Sequence, residues 1–396
     1  MINSISEKSS LNQYRRKILL ISGYDAASHR HWRQTLQSEL GQYDWTQIAL
    51  PDRYYPWRIR GNAISLVNQY SNELNREYDC LIVTSMVDLN SLRGFIPKLA
   101  ELPTILYCHE NQFDYPRNAQ PQEESNRLNA QLSAIYSMRC ADKVLFNSNY
   151  NLSTFFKGAR RLFNKLPDGV SIADIEPIEL KSAVLPVPIK IASSSRPINE
   201  KQTKSRTQAD QGYPISIVWN HRWEFDKQPE VLFEAVKILQ AKKLNFRLQV
   251  LGQSFRKVPA CFANAQLDFA GYIDNWGFQS RAKYDQILLE ADIVVSTALH
   301  DFQGLSMLEA INLDCVPVAP NRVAYPEYID QELLYSLDEF ESEGRALAVK
   351  LQWLIENWQT VSNDETLKFR ELASRYLSKQ LIPSYREIIE SACGDS

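Results

Sequence analysis

IASSSRPINEKQTKSRTQADQGY, residues 191–213, is rich in Ser, Lys and Gln and nearly free of apolar side chains. So polar a stretch buries too little surface to fold by itself and reads as a linker or insertion. What lies on either side of it decides the fold. Upstream, short apolar runs recur at 17–22 (KILLIS), 80–85 (CLIVTS), 104–109 (TILYCH) and 143–148 (KVLFNS), and a helical pattern over about 28–40 follows the first. Downstream they restart at 215–220 (ISIVWN), 246–251 (FRLQVL), 267–270 (LDFA), 292–297 (DIVVST) and 315–319 (CVPVA), and from 337 on the pattern is helical. Short continuous apolar strands alternating with helices mark a parallel sheet covered on both faces. The expectation is an α/β protein of two doubly wound, Rossmann-like domains facing a cleft. Their predicted limits are 14–188 and 214–380, with a linker over 189–213. A terminal helix over 381–396 is expected to pack back on the first domain.

The 396 residues suit two cores better than one, and 44% hydrophobic with 23% charged residues is the balance of a globular protein. A net charge of −3 excludes a uniformly basic surface, although residues 1–60 alone carry +4, enough to meet a phosphate backbone locally. No apolar run approaches the ~18–20 residues of a membrane span. The polar first 13 residues lack the apolar core of an export signal. Cys80, Cys108, Cys140, Cys261, Cys315 and Cys393 include no C-x-x-C pair and several lie in apolar runs, which fits buried thiols in a reducing compartment. The cytoplasm is the expected location, without membrane association.

Ligands of open α/β sheets bind beyond the carboxyl ends of the strands. All five histidines fall in such places: His29 and His31 after the first run, His109 at the end of 104–109, His221 after 215–220, and His300 after 292–297. Residues 292–309, DIVVSTALHDFQGLSMLE, read as strand, loop and helix, with Gly304 opening the helix. Unpaired amides of Gly304, Leu305 and Ser306 suit a phosphate, and Asp301 and Glu309, eight apart, could meet sugar hydroxyls. Singly, they also fit a capping aspartate and a solvated helix glutamate. In 219–230, WNHRWEFDKQPE, Arg222 and Lys227 could hold a departing diphosphate, or simply pair with neighbouring acids on an exposed loop. Lys227 and Glu309 are both expected to face solvent. In YCHENQ, 107–112, His109 stands where a strand meets a cleft and could bond a sugar hydroxyl or move a proton.

In this order the segments resemble the retaining glycosyltransferases of the GT-B superfamily, whose mark is an E-x7-E motif preceded by Arg and Lys. Asp301 and Glu309 have the spacing, with Asp in the first position, and Gly304 matches the motif's glycine. GYDAASHRHW, PWRIRGNA, YCHENQFDYP, VLFNSNYN, WNHRWEFDKQPE, LGQSF, ADIVVSTALHDFQGLSMLEAI and YPEYI further resemble the tRNA-queuosine α-mannosyltransferase family over nearly the whole chain. That resemblance implies GDP-mannose as donor and the cyclopentene-diol of queuosine at the tRNA wobble position as acceptor. It also implies retention at the anomeric carbon, with no cofactor and no metal. Arg222 and Lys227 would hold the diphosphate, Glu309 the ribose and Asp301 the donor sugar. His109 would serve the reacting region. Gly23 and His29 would approach the donor from the first domain, and Glu110 and Asn111 the acceptor.

RYYPWRIR, 53–60, interleaves Arg53, Arg58 and Arg60 with Tyr54, Tyr55 and Trp57. Aromatic faces stack on unpaired bases while guanidinium groups meet phosphates, so the segment fits a single-stranded RNA loop. It equally fits a packed edge solubilised by its arginines. Two other functions remain open: a glycosyltransferase with a lipid or polysaccharide acceptor, which calls for an amphipathic basic helix, and a non-catalytic RNA-binding protein on a transferase fold. Residues 28–40 start basic but carry few apolar positions for the first, and the charged motif residues are retained against the second.

Overall fold

The computed structural model describes residues 14–114, 121–190, 212–254, 257–338, 340–362, 364 and 367–394, so most of the predicted linker lies outside the described residues. The first half forms a parallel six-stranded sheet from β1 (Lys17–Ser22), β2 (Asp44–Ala49), β3 (Cys80–Thr84), β4 (Thr104–Cys108), β5 (Lys143–Phe146) and β6 (Ser182–Val184). Its order is β2-β1-β3-β4-β5-β6. Alternate residues of the inner strands feed opposite cores. Leu19, Ile21, Leu81, Val83, Leu106 and Phe146 pack on one face, and Ile18, Leu20, Ile82, Ile105 and Leu145 on the other. Burial on both faces is what turns these strands into unbroken apolar runs.

The second half repeats the plan with β7 (Ile215–Asn220), β8 (Phe246–Leu251), β9 (Ile273–Gly277), β10 (Ile293–Val295), β11 (Val316–Pro320) and β12 (Leu334–Tyr335), in the order β12-β11-β10-β7-β8-β9. Residues 267 and 268, read as a strand, instead end the helix Cys261–Asp268, and the strand forms at 273–277. In each sheet the order reverses at one place, between β1 and β3 and between β7 and β10. Those reversals open a crevice at the carboxyl ends of the strands.

The chain crosses between the halves twice, side by side. Ile189 donates to the Tyr376 carbonyl at 2.8 Å, and Ser378 donates back to the Ile189 carbonyl at 2.9 Å. The helix Ser378–Ala392 then lies on the first sheet, with Ile382, Tyr385 and Ile389 in the same core as Ile18 and Leu20. Tyr385 accepts a 3.0 Å bond from the Trp32 indole and donates to the Pro186 carbonyl at 2.9 Å. Loops at the carboxyl ends of the two sheets meet. The Gln303 amide exchanges two 2.9 Å bonds with the Val187 backbone, and the Phe302 ring lies 5.9 Å from that of Tyr150. Among the described residues, no helix is long and apolar enough to cross a membrane.

Candidate active site

The first sheet contributes the ends of β1 and β4. After β1 the backbone at Gly23 runs so close to the next loop that a Cβ would stand 3.0 Å from the Met86 carbonyl oxygen. His29, on the helix Ala27–Glu39, stacks on His109 with ring centroids 4.0 Å apart. Trp32 and Tyr107 meet the His109 ring edge-on at 5.1 and 4.7 Å. Both histidines are buried, and neither ring nitrogen of His109 has a hydrogen-bond partner among the described residues. Burial lowers the His29 pKa to about 4 against the pull of Asp25, and burial followed by His29 and His31 holds His109 well below its usual value. His109 is therefore a neutral donor and acceptor near pH 7. A buried polar group without partners is costly, so a ligand or a water beside this ring would complete its bonding. His31 is committed elsewhere, 2.8 Å from the Pro188 carbonyl.

The second sheet contributes the ends of β7 and β10. Gly252, at φ +145°, passes so tightly that a Cβ would lie 1.8 Å from the His221 carbonyl oxygen. Arg222 pairs with Glu224 at 2.6 Å. Its charge also reaches across to the half-buried Glu110, whose carboxyl is pushed up by burial and pulled back by Arg222. Lys227 is only 7% exposed, contrary to the solvent-facing position expected, because its ammonium turns inward. It donates to the His300 carbonyl and stands 3.5 Å from Asp226 and 3.8 Å from Asp301.

Asp301 accepts from the Gly304 amide at 2.9 Å and from the Tyr325 hydroxyl at 3.0 Å. Burial pushes its carboxyl up, but Lys227, His221 and the Tyr325 bond outweigh that and hold it below the usual range. Burial and Lys227 lower His221 to about 3 and His300 to about 4, so these rings are neutral too. Gly304 caps the helix Leu305–Asn312 at φ +78°, in the left-handed region that glycine tolerates. Its amide is committed to Asp301, leaving the first-turn amides from Leu305 onward to face an anion. Glu309 is turned inward rather than solvated, its side chain 14% exposed. It is held by Arg281 at 2.8 Å and by the Tyr284 hydroxyl at 3.1 Å. Neither partner belongs to a motif, and both lie more than twenty residues away in sequence. Among the described residues, no three His, Cys, Asp or Glu side chains cluster as a metal site would require.

Residues 17–189 match the family model described as tRNA-queuosine alpha-mannosyltransferase N-terminal, and residues 200–368 match the model described as glycosyl transferases group 1. A Drosophila melanogaster protein described as tRNA-queuosine alpha-mannosyltransferase is 31% identical over 381 residues, covering 96% of this chain and 97% of the relative. The chain belongs to the tRNA-queuosine α-mannosyltransferase family. Solved structures agree on the fold. The sucrose-phosphate synthase of Thermosynechococcus elongatus superposes with a TM-score of 0.69 at 13% identity, covering 95% of this chain and 98% of the other. Anabaena Alr3699/HepE in complex with UDP does so at 0.62 and 14%, covering 94% and 98%. The fold is GT-B, and the chain is a glycosyltransferase.

The remaining residues predicted for the transferase's acceptor side are divided by the structure. Residues 55–60 open the helix Tyr55–Leu74, so successive side chains diverge. Tyr54 and Trp57 are 69% and 51% exposed, and Arg53 and Arg60 are exposed beside them. Tyr55 turns to Tyr24, ring edge to face at 5.7 Å, which ties the patch to the loop after β1. Arg58 does not join it. It is buried, with its guanidinium 3.5 Å from the Pro51 carbonyl and the Ser65 hydroxyl. Asn111 is also withdrawn. Its amide nitrogen bonds Asn151 and Thr154, and its oxygen accepts from the Phe113 and Asp114 amides, so its capacity is spent inside the fold.

Proposed function

We propose that this transferase moves mannose from GDP-mannose to the cyclopentene-diol of queuosine in tRNA, in the cytoplasm, with retention of configuration and without a metal ion. The observation that carries this reading is the near full-length similarity to the Drosophila protein, which spans both halves and so the whole cleft. The geometry supports it. Arg222, Lys227 and the first-turn amides from Leu305 meet the diphosphate, where negative charge grows as the glycosidic C–O bond breaks. Glu309, held by Arg281 and Tyr284, takes the ribose hydroxyls. Asp301 and neutral His109 bracket the sugar.

Retention needs no protein nucleophile if the departing phosphate oxygen accepts the proton of the incoming hydroxyl on the same face of the sugar. A carboxylate as heavily bonded as Asp301 is poorly placed to attack carbon. On the acceptor side, Tyr54 and Trp57 offer stacking faces and Arg53 and Arg60 offer charge for the phosphates of an unpaired loop. Glu110, which feels the charge of Arg222, is assigned to the acceptor.

The test is the intact mass of queuosine-containing tRNA after incubation with the protein and a panel of sugar nucleotides. A hexose-sized gain with GDP-mannose, absent with tRNA lacking queuosine, is expected. No gain with any donor, while GDP still binds, would return the acceptor question to lipids and glycans.

A further inference from the structure

The segment YPEY, residues 325–328, touches both the donor site and the opposite half of the molecule. Tyr325 is fully buried; its hydroxyl donates to Asp301 at 3.0 Å and lies 2.6 Å from the Ser296 hydroxyl. Tyr328, equally buried, packs against the cap of the helix Leu305–Asn312, where a Cβ on Gly304 would come 2.4 Å from its hydroxyl. Between them Glu327 points away, out of the second half altogether. Its carboxylate accepts from the Tyr150 amide at 2.7 Å and from the Asn149 amide and side chain at 3.1 and 3.2 Å. These amides open the helix Asn149–Phe163 of the first half, and Ser148 accepts from the next amide, Asn151, at 3.0 Å. A carboxylate from one domain thus caps the positive end of a helix in the other. Tyr150 closes the circuit, because its ring faces Phe302, the neighbour of Asp301.

We infer that the turn Tyr325–Glu327 is a positioning relay, in which Tyr325 orients Asp301 and Glu327 makes that orientation depend on contact between the two halves. When the halves part, the Glu327 carboxylate and the two amides it holds pass to water, and the turn loses one of its two anchors. Tyr325 sits two residues away on the same single turn, so the bond that fixes Asp301 loosens with it. With the cleft open Asp301 keeps the Gly304 amide but holds its second oxygen less firmly, so its full set of bonds is fixed when the cleft is shut. Coupling of this kind requires an element that both sites bias, and the turn is that element.

This inference rests on the glycosyltransferase fold and not on the choice of sugar or acceptor, so its first readout is independent of turnover. Hydrogen exchange is followed by mass spectrometry in E327Q and Y325F against the wild-type protein. E327Q is expected to speed exchange in the peptide spanning 298–304, which Glu327 does not touch, by about tenfold, as well as at Asn149 and Tyr150. Acceleration confined to residues 149–152 would overturn the relay and leave Glu327 a local cap. With transfer established, Y325F should lower kcat about tenfold with donor KM within about twofold, and the double variant should lose less than the product of the single losses. Unchanged kcat in Y325F, or fully multiplicative losses, would also overturn it. A protein that transfers nothing to queuosine would still give the exchange result.

Discussion

Lys227→Met is the perturbation that separates charge from shape at the centre of the site. Methionine keeps most of the stem and removes the ammonium that stands 3.5 Å from Asp226 and 3.8 Å from Asp301. At an effective dielectric of about 20, one unit pair at that distance interacts by about 4 kcal/mol before the cost of burying both ions is set against it. Removing one partner of a buried pair typically costs about 3–5 kcal/mol, because the other charge stays behind. In a half of this size that corresponds to a fall of roughly 10 °C in Tm. The pH dependence follows from Asp301. Its carboxyl now lies below its usual value, so its contribution is present above about pH 4 and is lost as pH falls through the folded pKa. Without Lys227 burial has less to oppose it, the carboxyl moves up, and Asp301 contributes less stability at neutral pH. The gap between wild type and variant should therefore be widest at pH 7 and narrow toward about pH 4. Urea unfolding at both pH values measures it, with GDP titration alongside to show nucleotide binding weakened about tenfold or more. An equal gap at both pH values would mean that packing, not charge, was lost, and no gap at pH 7 would refute the argument.

Glu309→Gln should weaken GDP binding about tenfold by calorimetry with little change in Tm, because Arg281 keeps Asp285 at 2.9 Å as a partner. Trp57→Ala should weaken tRNA binding by about 1–3 kcal/mol without altering Tm, while Arg58→Ala should lower Tm and leave tRNA affinity in place. Fluorescence anisotropy with labelled tRNA, beside thermal melts, distinguishes the two patterns. The kcat/KM profile should be flat between about pH 6 and 8, since burial keeps His29 and His109 neutral throughout. An inflection near pH 6.5 would show that one of them gains a proton in the working range.

The inner strands were legible in the sequence, and the edges were not. β1, β7 and β8 coincide with the apolar runs at 17–22, 215–220 and 246–251. β2, β6, β9 and β12, which carry no such run, are the four edge strands of the two sheets. An edge strand is covered on fewer sides and can be short or polar, as DWTQIA and IDNWG are. At the site, residues at strand ends were visible because the fold itself directs ligands there. Their supports were hidden: Arg281 and Tyr284 reach Glu309 only through the packing of separate helices. In 53–60 the interleaved pattern named the right residue types, but a helical period of 3.6 sends Arg58 inward and Trp57 and Arg60 outward.

The placement of the helix Ser378–Ala392 bears on how the molecule is made. Tyr385 braces Trp32, and Trp32 braces the His109 ring, so one wall of the candidate site in the first half leans on a helix made after the second half. Roughly two hundred residues separate β6 from that helix, a delay on the order of ten seconds or more at ribosomal speed. Throughout it, the face formed by Ile18, Leu20 and Ile105, which Trp32, Leu36 and Leu40 cover in part, lacks Ile382, Tyr385 and Ile389 on the nascent chain. The His109 wall of the first half is completed only after translation has delivered residues 378–392, so a chain cut short before them would leave that apolar face exposed and the wall unbraced.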